Sequence, residues 1–371
     1  MKIEIVGDIF GTTGYAIHTR SLANALFNEG IDIALTCNLP QDWVRQVNDN
    51  ELKMISNNKD GLDYRLMISL PTIAPLYWND GVPILQYVVW EGNKIPAGWI
   101  NILREGKIKH IIVPSSHTKN AIINSINTDP IDVATQCFIE EKISIVPHGV
   151  NLTKFFPTNN KDKEFTFLAD KGWPAGSKDR GGLSFLIKAF GEEFASKEEV
   201  KLIVKVNMSY GLTQEMFNKN IYELKLQNKD APKIEFILND IPYDKLNDIY
   251  NRANVFCIPS LAESFHIGGL QAMACGLPIL YNDFGGQTDY CNEKNGYRLE
   301  NGKMIEVDWD LLYEGISWKL PDIDEIKRQL RFIYNNQDKV KAKSIVALET
   351  SKEYTWQNSA KKLIQFLLAK E

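Results

Sequence analysis

Pro259-Ser260-Leu261-Ala262-Glu263-Ser264-Phe265-His266-Ile267-Gly268-Gly269-Leu270-Gln271-Ala272-Met273-Ala274-Cys275-Gly276-Leu277-Pro278 joins two apolar runs, Val255–Ile258 and Pro278–Tyr281. The first run is short and closed by a proline, which makes it a strand. A helix is expected from His266 to Cys275, with Gly276 as its stop. Glu263 then lies just before the helix, beside amides that have no partner inside it. Such a helix start can hold a diphosphate. Gln271 lies over one turn further in, where it can face the same ligand. A carboxylate ahead of a helix is also commonly only a cap, so spacing alone leaves both readings open.

The same strand–turn–helix unit recurs outward from this stretch. Phe165–Ala169, Lys201–Val206 and Ile234–Leu238 read as strands, interleaved with helices Leu183–Phe194, Gln214–Lys225 and Tyr243–Arg252. Upstream, Ile3–Val6, Ile31–Thr36, Leu66–Ser69, Ile84–Val89, Ile111–Val113 and Lys142–Val146 read as strands, with a helix over Tyr15–Glu29. The alternation implies an α/β fold with parallel sheets covered on both faces. A polar, proline-containing stretch, Phe155–Lys163, separates the two series as a linker. A chain of 371 residues suits two domains. The last segment, Thr355–Leu368, carries Trp356, Ala360, Leu363, Ile364 and Leu367 at helical spacing and so buries one face. In such folds the ligand is expected in a crevice at the carboxyl ends of the strands.

Composition narrows the function. With 42 basic and 47 acidic residues the net charge is -5, which disfavours a surface that coats nucleic acid. Cys37, Cys137, Cys257, Cys275 and Cys291 are scattered and odd in number, as expected of reduced thiols in a cytoplasmic protein. No metal-ligand spacing occurs. Met1–Val6 reads as a strand rather than a leader, and no run of 18 apolar residues is present. An integral membrane segment is therefore not expected, while peripheral membrane contact is left open.

Two loops that follow strands carry candidate chemistry. Gly7-Asp8-Ile9-Phe10-Gly11-Thr12-Thr13-Gly14-Tyr15 either lets the backbone approach a phosphate or packs a strand tightly on a helix. Ile9 stands where the dinucleotide fingerprint needs glycine, which argues against a nicotinamide dehydrogenase. Asp170-Lys171-Gly172-Trp173-Pro174-Ala175-Gly176-Ser177-Lys178-Asp179-Arg180-Gly181-Gly182 is basic. It is either a solvated loop or a clasp for an anion, in which arginine forks two oxygens and lysine acts as a point charge. Lys205 ends an apolar strand, where it either reaches the ligand or snorkels to solvent.

The opening stretch resembles the glutamate–seven–glutamate motif of retaining GT-B glycosyltransferases, the large "glycosyl transferases group 1" (family 4) type. The family pattern Glu-Gly-Phe-Gly-Leu-Pro-x-x-Glu-Ala-Met-Ala-Cys-Gly-x-Pro is matched at Glu263, Phe265, Ala272, Met273, Ala274, Cys275, Gly276 and Pro278. Gly285-Gly286-Gln287-Thr288-Asp289, Asn295-Gly296, Val146-Pro147-His148-Gly149-Val150-Asn151, Pro114-Ser115-Ser116-His117-Thr118 and the Gly11–Gly14 loop are similar to further family stretches in the same order. The resemblance thus covers nearly the whole chain.

It implies two Rossmann-like doubly wound domains facing each other across a cleft. Residues 1–155 would form the acceptor domain, with a helix over 355–371 returning to it, and 156–354 the nucleotide-sugar domain. It further implies retention of configuration, a UDP-, GDP- or ADP-sugar as donor, and no cofactor or metal. The acceptor stays unidentified: a glycan, lipid, protein or modified nucleic acid. Carried over residue by residue, Glu263 lies near the transferring sugar, while Lys171 and Arg180 clasp the diphosphate with Lys178 as an alternate. Gly14, Tyr15, Lys205, Ser264, Phe265, His266, Ile267 and Gly268 are expected around the donor. Gln271 replaces the second glutamate, which binds the ribose hydroxyls. An amide still hydrogen-bonds a diol but without the charge. That departure keeps an alternative in view, a sugar-nucleotide-binding protein without turnover. In Tyr87–Trp99, Trp90 and Trp99 are placed to stack on a sugar and Glu91 to bind acceptor hydroxyls, the other reading being core packing of both rings. For a histidine facing the acceptor, His18, His110 and His117 are all imperfect candidates.

Overall fold

Each half of the chain builds a six-stranded parallel sheet in the computed structural model. The structure describes residues 1–38, 47–128, 133–173, 179–206, 212–224, 230, 232–239, 241–307 and 311–369. The first sheet contains β1 (Lys2–Gly7), β2 (Asp32–Cys37), β3 (Tyr64–Ile68), β4 (Ile84–Tyr87), β5 (Ile108–Val113) and β6 (Ile143–Ile145), in the order β2-β1-β3-β4-β5-β6. The second contains β7 (Phe165–Lys171), β8 (Val200–Val206), β9 (Lys233–Ile237), β10 (Val255–Ile258), β11 (Ile279–Asn282) and β12 (Gly296–Leu299), in the order β12-β11-β10-β7-β8-β9. A hairpin, β13 (Lys303–Glu306) and β14 (Ser317–Leu320), follows. The central strands are nearly continuous apolar runs because helices cover both faces. Ile3, Ile5, Leu202, Val204, Val255 and Ile258 are all fully buried.

The helices are α1 (Gly14–Asn28), α2 (Asp49–Ser56), α3 (Ala97–Leu103), α4 (Ser116–Thr128), α5 (Val133–Glu140), α6 (Leu183–Glu193), α7 (Gln214–Glu223), α8 (Leu246–Asn251), α9 (Ile267–Ala274), α10 (Ile323–Asn335), α11 (Gln337–Glu353) and α12 (Trp356–Leu368). Two compact units result. One comprises Met1–Gly149, Leu312–Ile316 and the chain from Tyr354 onward; the other comprises Val150–Leu311 and Ser317–Glu353. The amphipathic segment expected near the end is α12, which packs on α1 of the first unit. Its Trp356, Ala360, Leu363 and Leu367 are buried. Among the described residues no helix is long and apolar enough to cross a membrane.

In both sheets the chain leaves the first strand to one side and returns on the other. That reversal, between β1 and β3 and again between β7 and β10, opens the place at the strand ends where doubly wound folds take their ligands.

The first unit buries two histidines together. The rings of His18 and His148 lie 4.3 Å apart, with Tyr87 4.3 Å from His18 and Trp356 5.8 Å from His148. Burial pushes both imidazoles down, His148 to about 3, and each stays neutral in the fold. Unfolded histidine takes its proton near pH 6.5. Between about pH 6.5 and 3 the unfolded chain therefore binds more protons, so stability falls as pH falls, by ~2 kcal/mol per histidine on reaching pH 5. Melting temperature is expected to drop between pH 7.5 and pH 5, and the drop to shrink in His148→Gln. Equal drops in variant and parent would show that the pair does not stay neutral in the fold.

Candidate functional site

The second switch point gathers the charged candidates. β7 ends in Asp170 and Lys171, β8 carries Lys205 opposite Asp170, and β10 runs into the 259–266 loop. Lys171 Nζ donates to Glu263 Oε1 in an ion pair whose side chains are 10% and 12% exposed. Arg180 is tied to the same loop. Its carbonyl accepts from Leu261 N at 2.9 Å, and its Nη1 donates to the Ala262 carbonyl at 3.3 Å. Gly182 makes this approach feasible, because a Cβ there would strike the Pro259 carbonyl and the backbone has a φ of 73°. Asp179, buried beneath, accepts from Ser184 N at 2.7 Å and anchors the start of α6. From the other side, Gly286 N donates to the Glu263 carbonyl at 2.7 Å, and a Cβ on Gly285 would come within 2.7 Å of that oxygen. Burial alone would raise the Glu263 pKa; Lys171 and Arg180 outweigh it and hold the carboxyl at about 2.

Glu263 does not cap α9. His266 does, in the left-handed region at φ 70° and ψ 78°, with Nδ1 accepting from Gly269 N at 2.9 Å. It is the one non-glycine residue with positive φ among those described, a strained conformation of the kind that collects at functional sites. Burial and the neighbouring Lys171 keep its imidazole neutral, with a pKa near 3. Because His266 satisfies Gly269, the amides of Ile267 and Gly268, which have no acceptor within the helix, stay at the partly exposed helix start. The expected helix thus begins one residue later and ends one earlier than its sequence suggests.

Gln271 is buried, at 4% exposure, and lies between two tyrosine hydroxyls, Tyr250 at 3.4 Å and Tyr243 at 3.0 Å. Lys205 does not snorkel. It pairs with Asp170 at 3.4 Å and is 8% exposed. Ser264 is half-buried, whereas Phe265 is a fully buried core residue whose ring lies 5.2 Å from Tyr290. Lys178 lies outside the described residues.

In the first unit the two readings of the glycine loop separate by position. A Cβ on Gly7 would come within 2.7 Å of Thr19 Oγ1, so Gly7 serves strand–helix packing. Around Gly14, at the start of α1, a Cβ would meet nothing within 4 Å, so no intramolecular contact explains that glycine. Thr13 caps α1, and the Tyr15 hydroxyl reaches the Val89 carbonyl at 3.4 Å. Arg20, which the sequence reading passed over, holds the loop by donating to the carbonyls of Ile9 and Gly11.

The expected sugar platform needs correction. Trp90 and Trp99 are each 2% exposed and pack on one another at 4.9 Å, while Tyr313 stacks on Trp90 at 5.1 Å. The indole is core, covered by a residue more than 200 positions away, and offers no face for stacking. The Glu91 carboxylate accepts from the Tyr313 hydroxyl at 2.8 Å. Of the histidine candidates, His18 and His110 are buried, and His117 Nε2 contacts the Glu91 carbonyl oxygen at 2.8 Å. Tyr250, also passed over, had a signal: seven residues after Tyr243, it falls on the same face of the expected helix Tyr243–Arg252.

Two parallel Rossmann-like α/β units define the GT-B class, and solved structures of that class match over the full chain. Sucrose-phosphate synthase from Thermosynechococcus elongatus superposes with a TM-score of 0.69 at 14% identity, covering 100% of both chains. Anabaena HepE in complex with UDP-glucose does so with a TM-score of 0.70 at 13% identity, again over 100% of both. Residues 178–341 match the family model for glycosyl transferases group 1. The match covers less than half of the chain and falls mostly in its second unit. The O-antigen chain mannosyltransferase RfbU of Salmonella typhimurium is 26% identical over 217 residues, 58% of this chain and 51% of that protein. The match therefore spans about half the length of this curated relative.

Proposed function

We propose that the chain is a retaining glycosyltransferase that moves a hexose or similar sugar from a nucleotide-diphosphate sugar to an acceptor, without a metal ion. The observation that carries this is the Lys171–Glu263–Arg180 cluster beside the start of α9. Two cations and helix-start amides converge where a leaving diphosphate gains charge, which is electrostatic stabilisation of the kind that dominates such reactions. They supply the positive charge that a divalent ion would otherwise bring. In the resting protein Lys171 rests on Glu263, and an arriving diphosphate would compete for it.

Glu263, held at about 2, is ionised at any working pH and is too weak a base to activate an acceptor. The stronger base at hand is the leaving phosphate itself. It would take the acceptor proton on the face it departs from, so the new bond forms on that face and configuration is kept. Glu263 then accepts hydrogen bonds from the sugar and offsets positive charge at its anomeric carbon. Gln271 reads the ribose, Gly14 at the start of α1 is assigned to the donor phosphates, and the first unit, with Glu91, takes the acceptor. UDP is favoured for the first trials because HepE, of the same fold, was solved with UDP-glucose.

The test is Arg180→Ala assayed against a panel of UDP-, GDP- and ADP-sugars, with product configuration read by NMR. Loss of one such cation should cost about 100-fold in kcat. A near-normal rate on the donor that the parent uses would remove Arg180 from the reaction, and an inverted product would overturn the retaining mechanism.

A further inference from the structure

Apart from the Glu263 cluster, the second unit carries a cavity of about 580 Å3 at the edge of its sheet, where β12 is the last strand and β11 its neighbour. That volume falls in the range of small-molecule sites, roughly 300–1,000 Å3. Tyr281 on β11, paired with Arg298 on β12, lines it. The tyrosine ring lies against Gly296, where a Cβ would come within 3.1 Å of its Cε1, so the glycine makes room for the ring. Tyr281 is 2% exposed, and its hydroxyl has no hydrogen-bond partner among the described residues. A phenol set so deep ordinarily has one, and the cavity is the side from which a partner can come. Burial pushes its pKa up, so the hydroxyl keeps its proton and can donate it. The walls around it are preformed. Arg298 Nη2 donates to Asp283 Oδ2 at 2.6 Å, which leaves Oδ1 open to a donor. The facing turn is tied by Asn292 N to Asn295 Oδ1 at 2.8 Å and by Lys294 N to Asn292 Oδ1 at 2.9 Å, which leaves the Asn292 NH2 as a donor.

We infer that this cavity is a carbohydrate-binding subsite, separate from the Glu263 cluster, that holds a neutral saccharide unit of a glycan. Charge argues for a neutral occupant. The lining sets Asp283 and Glu293 against Lys294 and Arg298, and the closest pair is already joined, so neither an anion nor a cation is selected. What remains is a set of separate donors and acceptors: the Tyr281 phenol, the Asn292 amide, and the free sides of Asp283 and Arg298. These suit neighbouring sugar hydroxyls, each of which both donates and accepts. The carboxylate and the guanidinium make the stronger, charge-assisted bonds. Choosing a sugar among neutral polar ligands rests on the transferase reading above. The wall also leads toward the reaction site. Thr288 Oγ1 donates to the Gly285 carbonyl at 2.8 Å, and the next residue, Gly286, holds the Glu263 carbonyl, so one turn of chain joins the two. The unit gripped here is one other than the sugar that is transferred.

The experiment uses the full chain and saturation-transfer NMR with maltotriose, mannotriose and galactotriose, and with L-glutamine as a zwitterionic comparison. At least one trisaccharide is expected to bind with a Kd of about 1 mM, as an open polar site allows. It should stay bound at saturating UDP and in Arg180→Ala. Tyr281→Phe, which removes one oxygen, should weaken it about fivefold, and Arg298→Ala about tenfold. UDP, GDP and ADP are titrated on the same samples, and whichever binds the parent should bind both variants within about twofold, which separates a lost ligand contact from a lost fold. Four results each overturn the inference: no trisaccharide signal, a signal equal in the parent and both variants, displacement of the trisaccharide by UDP, or a stronger signal from L-glutamine than from any trisaccharide. A parent that binds none of the three diphosphates, yet binds a trisaccharide through Tyr281 and Arg298, sinks the donor-site reading and leaves this subsite standing.

Discussion

Glu263→Gln is expected to lower kcat by about 1,000-fold while nucleotide binding survives. The exchange keeps shape and removes one charge. About 4 kcal/mol of transition-state stabilisation is at stake if the carboxylate offsets charge at the anomeric carbon. The same change takes away the counter-ion that Lys171 holds in the resting protein. Burial already lowers the lysine's pKa, and Glu263 opposes that shift. Released from the pair, Lys171 is free to meet the diphosphate, so donor affinity should hold or rise as turnover collapses. That opposite movement of kcat and affinity separates a chemical role from misfolding, which would lower both. The double variant Glu263→Gln, Lys171→Met should fall well short of the sum of the single effects, because the two groups act as one unit. A kcat for Glu263→Gln within threefold of the parent would end its assignment to the reaction. The pH profile offers a second check. With a pKa near 2, Glu263 cannot produce an acid limb above pH 4, so any such limb must disappear with other groups and persist in this variant.

The charged half of this site was legible in sequence because it is local. Glu263, His266 and Gln271 fall within nine residues on one strand–helix turn, and Lys171 and Arg180 on another. Spacing left open whether Glu263 was a cap; that answer depended on His266 taking a left-handed conformation, which is uncommon for any non-glycine residue and is not marked by spacing. Phe265 shows the converse. It matches the family pattern, yet it is fully buried and its ring is there for the core. For Trp90 the sequence left platform and core both open for a reason of distance. An aromatic after a strand is as good a platform as a core residue until its neighbours are known, and the deciding neighbour, Tyr313, arrives more than 200 residues later. Asp170 and Tyr250 were passed over because each is unremarkable alone; their meaning lies in a hydrogen-bond chain crossing β7, α8 and α9.

Gly149 is the strongest case of a residue whose reason lies far along the chain, and Gly149→Ala is expected to be among the most destabilising single methyl additions in the first unit. Within the motif His148-Gly149-Val150 it reads as part of a family pattern, with nothing local to demand a glycine. In the fold, α12 starts directly against it. A Cβ on Gly149 would sit 2.6 Å from Trp356 Cα and closer still to Trp356 N and Thr355 C. These are backbone atoms, so no side chain can swing aside to make room. Nor can the helix start retreat alone. Thr355 caps it through Asn358 N at 3.1 Å, Ser359 Oγ donates to the Pro147 carbonyl at 2.6 Å, and the Trp356 ring packs on His18 and His148. Backing away far enough to seat a methyl would loosen all three anchors and part of the buried Ala360, Leu363 and Leu367 face. Overpacking costs of this kind run to ~3 kcal/mol or more when only backbone can move, and a fall of roughly 10 °C in Tm follows for a unit of this size. Limited proteolysis should then cut within α12 first. Nucleotide affinity should hold, since every donor contact proposed in the second unit lies outside this packing. Gly14→Ala is the control: with open space around it, an alanine in the first turn of α1 should cost nothing in stability. A Gly149→Ala variant that melts with the parent and keeps α12 protected would show that the helix start has room that these contacts deny it.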